Sequence, residues 1–545
     1  MVDADVVLLL ARVSRRGGCA ATERFLFFAF FFLSTMAVGL VRLGLGVALF
    51  FAVLAASGSV SFVHGKCSAI GVGKLASADG TVMVAHTDDA GNDASDLRLV
   101  RVPAKDHKPG ATRPVYRPQD GYPRFVDGNR SPEYAPQQGQ EPSTPIGFID
   151  QVNHTYAYWD QEYGMMNEHQ LSIGESTCGS RTVAYPIDDK DHDGKALFGI
   201  EELSKIALER CRTARCAIKT MGDLACEFGF FAEPERADGG EALVIGDKEE
   251  LWVFHVMPSP DGAHAIWAAQ KIPDDHVVMI ANDFVIQEMD LNDSDNFLYS
   301  PNMVHIAADK GWIDTLDFEE HGHFNFFKTF GFEKRHAKHE NPLLGLYSGR
   351  RMWRFYSLLN AEYSAASDPY IGYTPKTSSL YPSSLQPDQK VSLKQLFGIM
   401  GDHYEGTPFD LTKGIAAGPF GNPNRFEGHS AGEPSIKGGF ERPISIYRGT
   451  FSFVCQSSSD VADGLGVGWY GQDQPSGSVW VPIFAAQTTL PQSYMWAKQS
   501  EFSLDSAWWA FNFVNNWMQL GYNKMLDDIS AARSELQEEA FQVHQ

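Results

Sequence analysis

The stretch Cys67-Ser68-Ala69-Ile70-Gly71-Val72-Gly73-Lys74, followed by Ser77-Ala78-Asp79-Gly80 and Thr81-Val82-Met83-Val84-Ala85, decides how the chain is read. Its short β-branched runs on either side of an Asp-Gly turn predict a strand, a hairpin turn and a second, buried strand. The chain ahead of it looks disposable. Residues 24–56 are almost unbrokenly apolar, with Phe25, Leu26, Phe27, Phe28 and Phe30-Phe31-Phe32, and the small residues Ala55, Ala56, Ser57 and Gly58 follow. Read from Met36, with Arg42 near its start, this segment has the form of a secretory signal. The expectation is that residues 1–66 are removed and that residues 67–545 are the working domain. Cys67 then becomes the amino terminus, and a thiol and a free α-amine on one residue make a nucleophile with its own base. The competing reading is a buried structural cysteine.

Composition is that of a globular protein: 43% hydrophobic, 21% charged, with 37 Phe, 19 Tyr and 11 Trp. A formal charge of −23 repels phosphate backbones, so nucleic acid is not expected as a partner. Past the leader no run approaches the length of a membrane span, so a membrane is expected only if the leader stays on as an anchor. Of the seven cysteines, Cys211, Cys216 and Cys226 crowd together, which permits a disulfide in an oxidising compartment. No Cys-x-x-Cys occurs and no His pair sits near them, so neither a metal nor a cofactor is expected. The sequons at Asn129, Asn153 and Asn292 fit a secretory route.

Along the chain, residues 103–145 read as an elaborated loop, and strands are predicted at 147–149, 155–158, 242–245, 251–254, 277–280, 445–454 and 479–484. Helical spacing runs over 199–226, 391–400 and 506–541. Strands flanking a helical middle, with hairpin connections and a terminal helix, predict α+β layers rather than a doubly wound parallel sheet. Gly466-Val467-Gly468-Trp469-Tyr470-Gly471 matches a phosphate-loop pattern, but Pro475 follows where a helix should begin, so a tight turn or bulge is expected. Asp189-Lys190-Asp191-His192-Asp193-Gly194 begins like a calcium loop, yet the twelfth position is Ile200, and a solvated acidic turn is expected.

The predicted hairpin returns His86-Thr87-Asp88-Asp89 to the side of Cys67, where a carboxylate can hold a terminal ammonium. Acyl transfer also needs amide donors and a guanidinium. Asn167 and Asn282 follow strand-like runs, and Arg350, Arg351 and Arg354 flank Trp353. With these residues the chain resembles the dipeptidase A-type cysteine peptidases of the N-terminal nucleophile superfamily, which also includes the secernins. The resemblance runs from Cys67 almost to the end. It is carried further by Gly174-Glu175-Ser176-Thr177, by His403-Tyr404-Glu405-Gly406-Thr407-Pro408-Phe409-Asp410 and by Gly418-Pro419-Phe420-Gly421-Asn422-Pro423-Asn424-Arg425.

The resemblance implies a four-layer αββα sandwich with an elaborated C-terminal part, and hydrolysis of short peptides, above all dipeptides. On this reading Cys67 attacks, Asp89 fixes the amine, and Asn167 and Asn282 donate to the oxyanion. Arg351 or Arg354 holds a carboxylate, and Glu168 binds the substrate's amine. One position departs: the family usually carries Arg where this chain has His86, and an imidazole supplies positive charge only in acidic surroundings. Two alternatives stand beside this reading: an amidase acting on non-peptide acyl amides, and a secernin-like protein acting by interaction in exocytosis. The leader places the product in the secretory pathway, secreted or in a lysosome- or vacuole-like lumen. A homo-oligomer is left open.

Overall fold

The computed structural model describes residues 67–89, 95–119, 121–232, 239–313, 318, 322–331, 345–364, 381–424, 429–430, 433–434 and 442–544. The leader expected over 1–66, and its cut, lie outside them. The chain forms two compact units. In the smaller, residues 1–63 with 427–437, the described part is the strand pair His429–Ser430 and Glu433–Pro434. Everything that follows belongs to the larger, residues 64–426 with 438–545.

In chain order its principal elements begin with strands β1 (Ser68–Val72), β2 (Val82–Asp88), β3 (Val100–Val102), β4 (Tyr158–Asp160), β5 (Gly164–Asn167) and β6 (Ser172–Gly179). Helices α1 (Ile200–Arg210) and α2 (Ala214–Phe228) come next, then β7 (Gly239–Gly246), β8 (Leu251–Pro258), β9 (Ala265–Ile272), β10 (Val277–Ile280) and β11 (Phe297–Tyr299). The remainder is α3 (Arg350–Leu359), α4 (Leu393–Met400), β12 (Phe451–Ser457), β13 (Val467–Gln472), β14 (Val481–Phe484), α5 (Ala507–Gln519) and α6 (Tyr522–His544). Two antiparallel sheets result. One has six strands in the order β10-β1-β2-β12-β13-β14, the other eight in the order β11-β9-β8-β7-β6-β5-β4-β3. The fold class is α+β.

Strand alternation explains how the sheets pack. On β7, Ala242 and Val244 join one core cluster with Ile70, Val72, Val82 and Val84 of the six-stranded sheet. Leu243 and Ile245 join another, with Leu203 and Ile206 of α1 and Ile218 and Met221 of α2. On β8, Leu251 and Val253 share the first cluster, Trp252 and Phe254 the second. Side chains two apart share a face, so these strands are buried on both sides and read as continuous apolar runs. Gly174 lets the sheets close, since a Cβ there would stand 3.0 Å from the Ala85 carbonyl oxygen. The first cluster also takes in Met352 and Phe355 of α3 and Leu396 and Phe397 of α4. Among the described residues no helix is long and apolar enough to cross a membrane.

Four expectations are corrected. The single helix over 199–226 is two helices, broken where Cys211 is extended and the Thr213 side chain caps α2 at the Cys216 N–H. Cys211 and Cys216 form a disulfide across the break. The tail helix likewise divides into α5 and α6. Residues 466–471 form no turn: 467–472 is the inner strand β13, where a Cβ on Gly468 would meet Met165 at 2.9 Å and one on Gly471 would meet Trp480 at 2.9 Å. The predicted strand at 445–454 starts only at Phe451, because the preceding segment turns buried Arg442, Ser445 and Arg448 into polar contacts instead.

Candidate active site

The hairpin register fixes the site. Pairing of Ala69 with His86 and Ser68 with Thr87 sets Cys67, at the mouth of β1, beside Asp88. The Cys67 Sγ lies 3.6 Å from Asp88 Oδ1 and is buried. Its main chain is held from two sides: Arg351 Nη1 and Ser176 Oγ donate to the Cys67 carbonyl oxygen at 3.1 and 3.3 Å. Arg351 Nη1 also donates to Ser68 Oγ at 2.8 Å, and Nη2 donates to the Ala281 carbonyl at 3.0 Å and Asn282 Oδ1 at 2.6 Å. Asp88 accepts from Thr450 Oγ1, and Asp89 pairs with the Arg442 guanidinium.

The electrostatics around the thiol are acidic. Burial, then Glu175, Asp88 and Asp89, push the Cys67 thiol well above its usual range. Burial raises Asp88 to about 7 despite the Thr450 hydroxyl. Burial likewise raises Asp89, outweighing Arg442, Arg448 and Arg351. It lowers Arg351 to about 9, with Arg442 adding repulsion. Glu175, whose Oε1 accepts from Thr177 Oγ1 at 2.8 Å, is raised by burial too.

Of the residues singled out in the sequence, Cys67, His86, Asp89, Asn282 and Arg351 come together. Asn282 sits in the left-handed region at φ 62°, held by its N–H to Ser176 Oγ at 3.0 Å. Its Nδ2 donates to the Thr177 carbonyl at 2.8 Å and to Ser176 Oγ at 3.3 Å.

Three residues are placed elsewhere. Asn167 spends both Nδ2 hydrogens on the carbonyls of Leu208 and Cys211, at 2.9 and 2.7 Å, while its Oδ1 accepts from the N–H groups of His169 and Leu171 and closes the turn after β5, so it offers no oxyanion donor. Glu168 accepts from the Ala157 N–H at 3.0 Å. Arg354 is neutralised by both oxygens of Asp402, at 2.8 and 2.5 Å, and pins α3 to the 402–405 loop.

His86 is enclosed by Tyr163, Phe451 and Phe453, and burial pushes its ring down to about 3, which disfavours the positive charge that acidic surroundings would otherwise give it.

Sequence reasoning missed Asp88 as the partner of sulfur, Ser176 as a main-chain clamp, and Arg442, Arg448 and Thr450. The first two lay inside quoted motifs. The last three carry no local spacing signal, since they reach Asp89 and Asp88 from more than 350 positions away.

Cys67 thus stands at a strand mouth, its carbonyl held by a buried arginine and its sulfur among carboxyl groups. The chain is a peptidase by the family it matches. It belongs to peptidase family C69, whose model matches residues 66–535. It is similar to a "Probable dipeptidase" of Latilactobacillus sakei, 26% identical over 448 residues, covering 81% of this chain and 79% of that protein. It is also similar to "Dipeptidase A" of Lactobacillus helveticus, 24% identical over 450 residues, covering 82% and 80%. "Probable dipeptidase B" of Lactococcus lactis subsp. lactis (strain IL1403) is 24% identical over 449 residues, covering 82% and 79%.

Proposed function

We propose that this peptidase hydrolyses dipeptides through an acyl-enzyme on Cys67, made amino-terminal by removal of residues 1–66, on the αββα frame of the N-terminal nucleophile hydrolases. The frame is supported by two face-packed antiparallel sheets whose strands are buried on both sides. Relatives named as dipeptidases support the substrate class. The observation that carries the reading is the treatment of Cys67 itself: Arg351 and Ser176 fix its carbonyl, while its sulfur faces Asp88.

The site's charge dictates the chemistry. A thiol held high by burial and carboxylates does not rest as thiolate, so a base must take its proton as sulfur attacks. Two bases are at hand: the α-amine, with an ordinary pKa of about 7.7–8.0, and Asp88. Sulfur bonds to the peptide carbonyl carbon, the C–N bond breaks, and the proton leaves with the departing amine. Water then adds to the thioester, the C–S bond breaks, and the thiol is restored. Asn282 acts on the oxyanion by releasing its longer, 3.3 Å contact to Ser176. Glu175, beside the sulfur, takes the role foreseen for Glu168 and receives the substrate's ammonium.

The leader and the Cys211–Cys216 disulfide both favour a secretory lumen. The test is dipeptide hydrolysis by purified chain beginning at Cys67. Cys67→Ala abolishes turnover, Cys67→Ser lowers it steeply, and a chelator does not reduce it. Loss of activity on chelation, restored by zinc, contradicts the reading.

A further inference from the structure

Three donors of different chemistry meet at the thiol. The Cys67 sulfur, a ring nitrogen of His86 and a carboxylate oxygen of Asp88 lie within 4.8 Å of one another, and all three residues are buried. His86 Nδ1 is 2.8 Å from the Glu175 carbonyl oxygen. The Glu175 N–H also lies 3.3 Å from that nitrogen, but the carbonyl contact is the shorter and a carbonyl only accepts, so the hydrogen is placed on Nδ1 and the lone pair is left on Nε2. Nε2 is buried and has no hydrogen-bond partner. Metal-bound imidazoles are held in the same way, one nitrogen donating to a carbonyl while the other is free to ligate. Arg351, the guanidinium at Cys67, engages its carbonyl and its neighbour Ser68. The carboxyl groups of Asp88, Asp89 and Glu175 all bear on the thiol.

We propose that Cys67, His86 and Asp88 form a binding site for Zn²⁺, and that occupancy switches the nucleophile off. One sulfur, one nitrogen and one oxygen suit a borderline-soft ion that accepts mixed ligands, whereas Ca²⁺ and Mg²⁺ require oxygen sets. Binding forms a Zn–S bond, the thiol proton passes to solvent, and no electrons are transferred. The fourth position of a tetrahedral site is filled by water or, if Cys67 is the amino terminus proposed above, by its α-amine. That last point alone rests on the proposed function. Zinc draws charge from the bound sulfur and stands where the substrate carbonyl must approach, so inhibition competes with substrate and a chelator reverses it. His86 is the element that makes the site: the arginine that the family resemblance leads one to expect at this position has no lone pair to give.

The test uses Co²⁺, which takes zinc sites and reports them by colour. Purified reduced chain is titrated with Co²⁺ and then with Zn²⁺. One equivalent of Co²⁺ should produce an intense near-ultraviolet thiolate-to-metal absorption, and Zn²⁺ should erase it. Cys67→Ala should remove the band, which separates Cys67 from the other cysteines outside the disulfide, Cys178, Cys226 and Cys455. His86→Arg should weaken binding by about 10–100-fold or more, with circular dichroism checking that the variant is folded. If it is not, His86→Gln is read in its place. No band in the wild-type chain, a band that survives Cys67→Ala, or unchanged affinity in a folded His86 variant overturns the proposal. None of these readouts needs turnover, so they are independent of whether Cys67 cleaves peptides.

Discussion

Arg351 donates from Nη1 to the carbonyl oxygen of Cys67 at 3.1 Å, tying α3 to a residue 284 positions earlier in the chain. The same side chain satisfies the carbonyls of Tyr347 and Ala281, the Ser68 hydroxyl and Asn282 Oδ1. A planar fork with five donors meets this set of acceptors; a lysine ammonium has only three donors, on a longer, flexible stem. Arg351 is thus the donor, with Ser176, that fixes the carbonyl of Cys67.

Arg351→Met should leave several buried acceptors unpaired and destabilise the protein by about 3 kcal/mol, a figure set by a cost of about 1–3 kcal/mol for each orphaned group and partial relaxation. Arg351→Lys should fall between, with dipeptide turnover lowered more than stability because Cys67 loses its alignment. Urea denaturation and kcat/KM, measured on the same preparations, check both statements. Equal stability of wild type and Arg351→Met would sink them.

On the proposed mechanism, Asp88 as a base for the thiol contributes an acid limb to activity. Its pKa of about 7 means that kcat/KM should rise as pH climbs through neutrality and the carboxylate becomes able to accept from sulfur. If Asp88 is the base that takes the thiol proton, Asp88→Asn should lower kcat/KM by about 10²–10⁴-fold and leave only the limb set by the α-amine. Stability moves the opposite way. A carboxyl raised above its unfolded value contributes stability that is full below the unfolded pKa and is lost as pH rises through about 7. Between pH 5 and pH 8 the Tm of Asp88→Asn should accordingly fall less than that of wild type.

His86 has the reverse sign. A buried imidazole lowered to about 3 contributes stability that is present above its unfolded pKa and is lost as pH falls toward 3. His86→Gln should flatten acid denaturation between pH 6 and pH 4 without moving the acid limb of the pH–rate profile. A shift of that limb would show that the imidazole carries charge during turnover.

The Cys211–Cys216 disulfide closes a loop of five residues' separation. For so short a loop the chain-entropy model gives about 2 kcal/mol. The double variant Cys211→Ser, Cys216→Ser should lose about that much in denaturant titrations. Specific activity per folded molecule should be retained, because the bridge lies at the α1–α2 junction and its sulfurs do not touch Cys67.

Much of this was legible from local pattern. The β1–β2 hairpin follows from β-branched runs around an Asp-Gly turn. Strands β7, β8 and β10 follow from apolar runs of strand length, and Cys67 stood out through its position behind an apolar leader. What was not legible is long-range. Arg442 and Thr450 reach Asp89 and Asp88 only because β12 pairs with β2, a register that no local spacing encodes. Asn167 follows a strand as Asn282 does, and the sequence cannot tell an amide that closes a turn from one at the site. The charge of His86 was not legible, because it depends on burial among Tyr163, Phe451 and Phe453, which is a property of packing. The glycines of β13 suggested a turn, whereas their role is to admit Met165 and Trp480.

The central claim is that Cys67 acts as an amino-terminal nucleophile. Amino-terminal sequencing of catalytically active protein, joined to its intact mass, tests it most directly. The account predicts that active molecules begin at Cys67 and that a thiol-directed alkylating agent adds one label there as activity disappears. Fully active protein that begins at any other residue, or that keeps its activity with Cys67 alkylated, contradicts it.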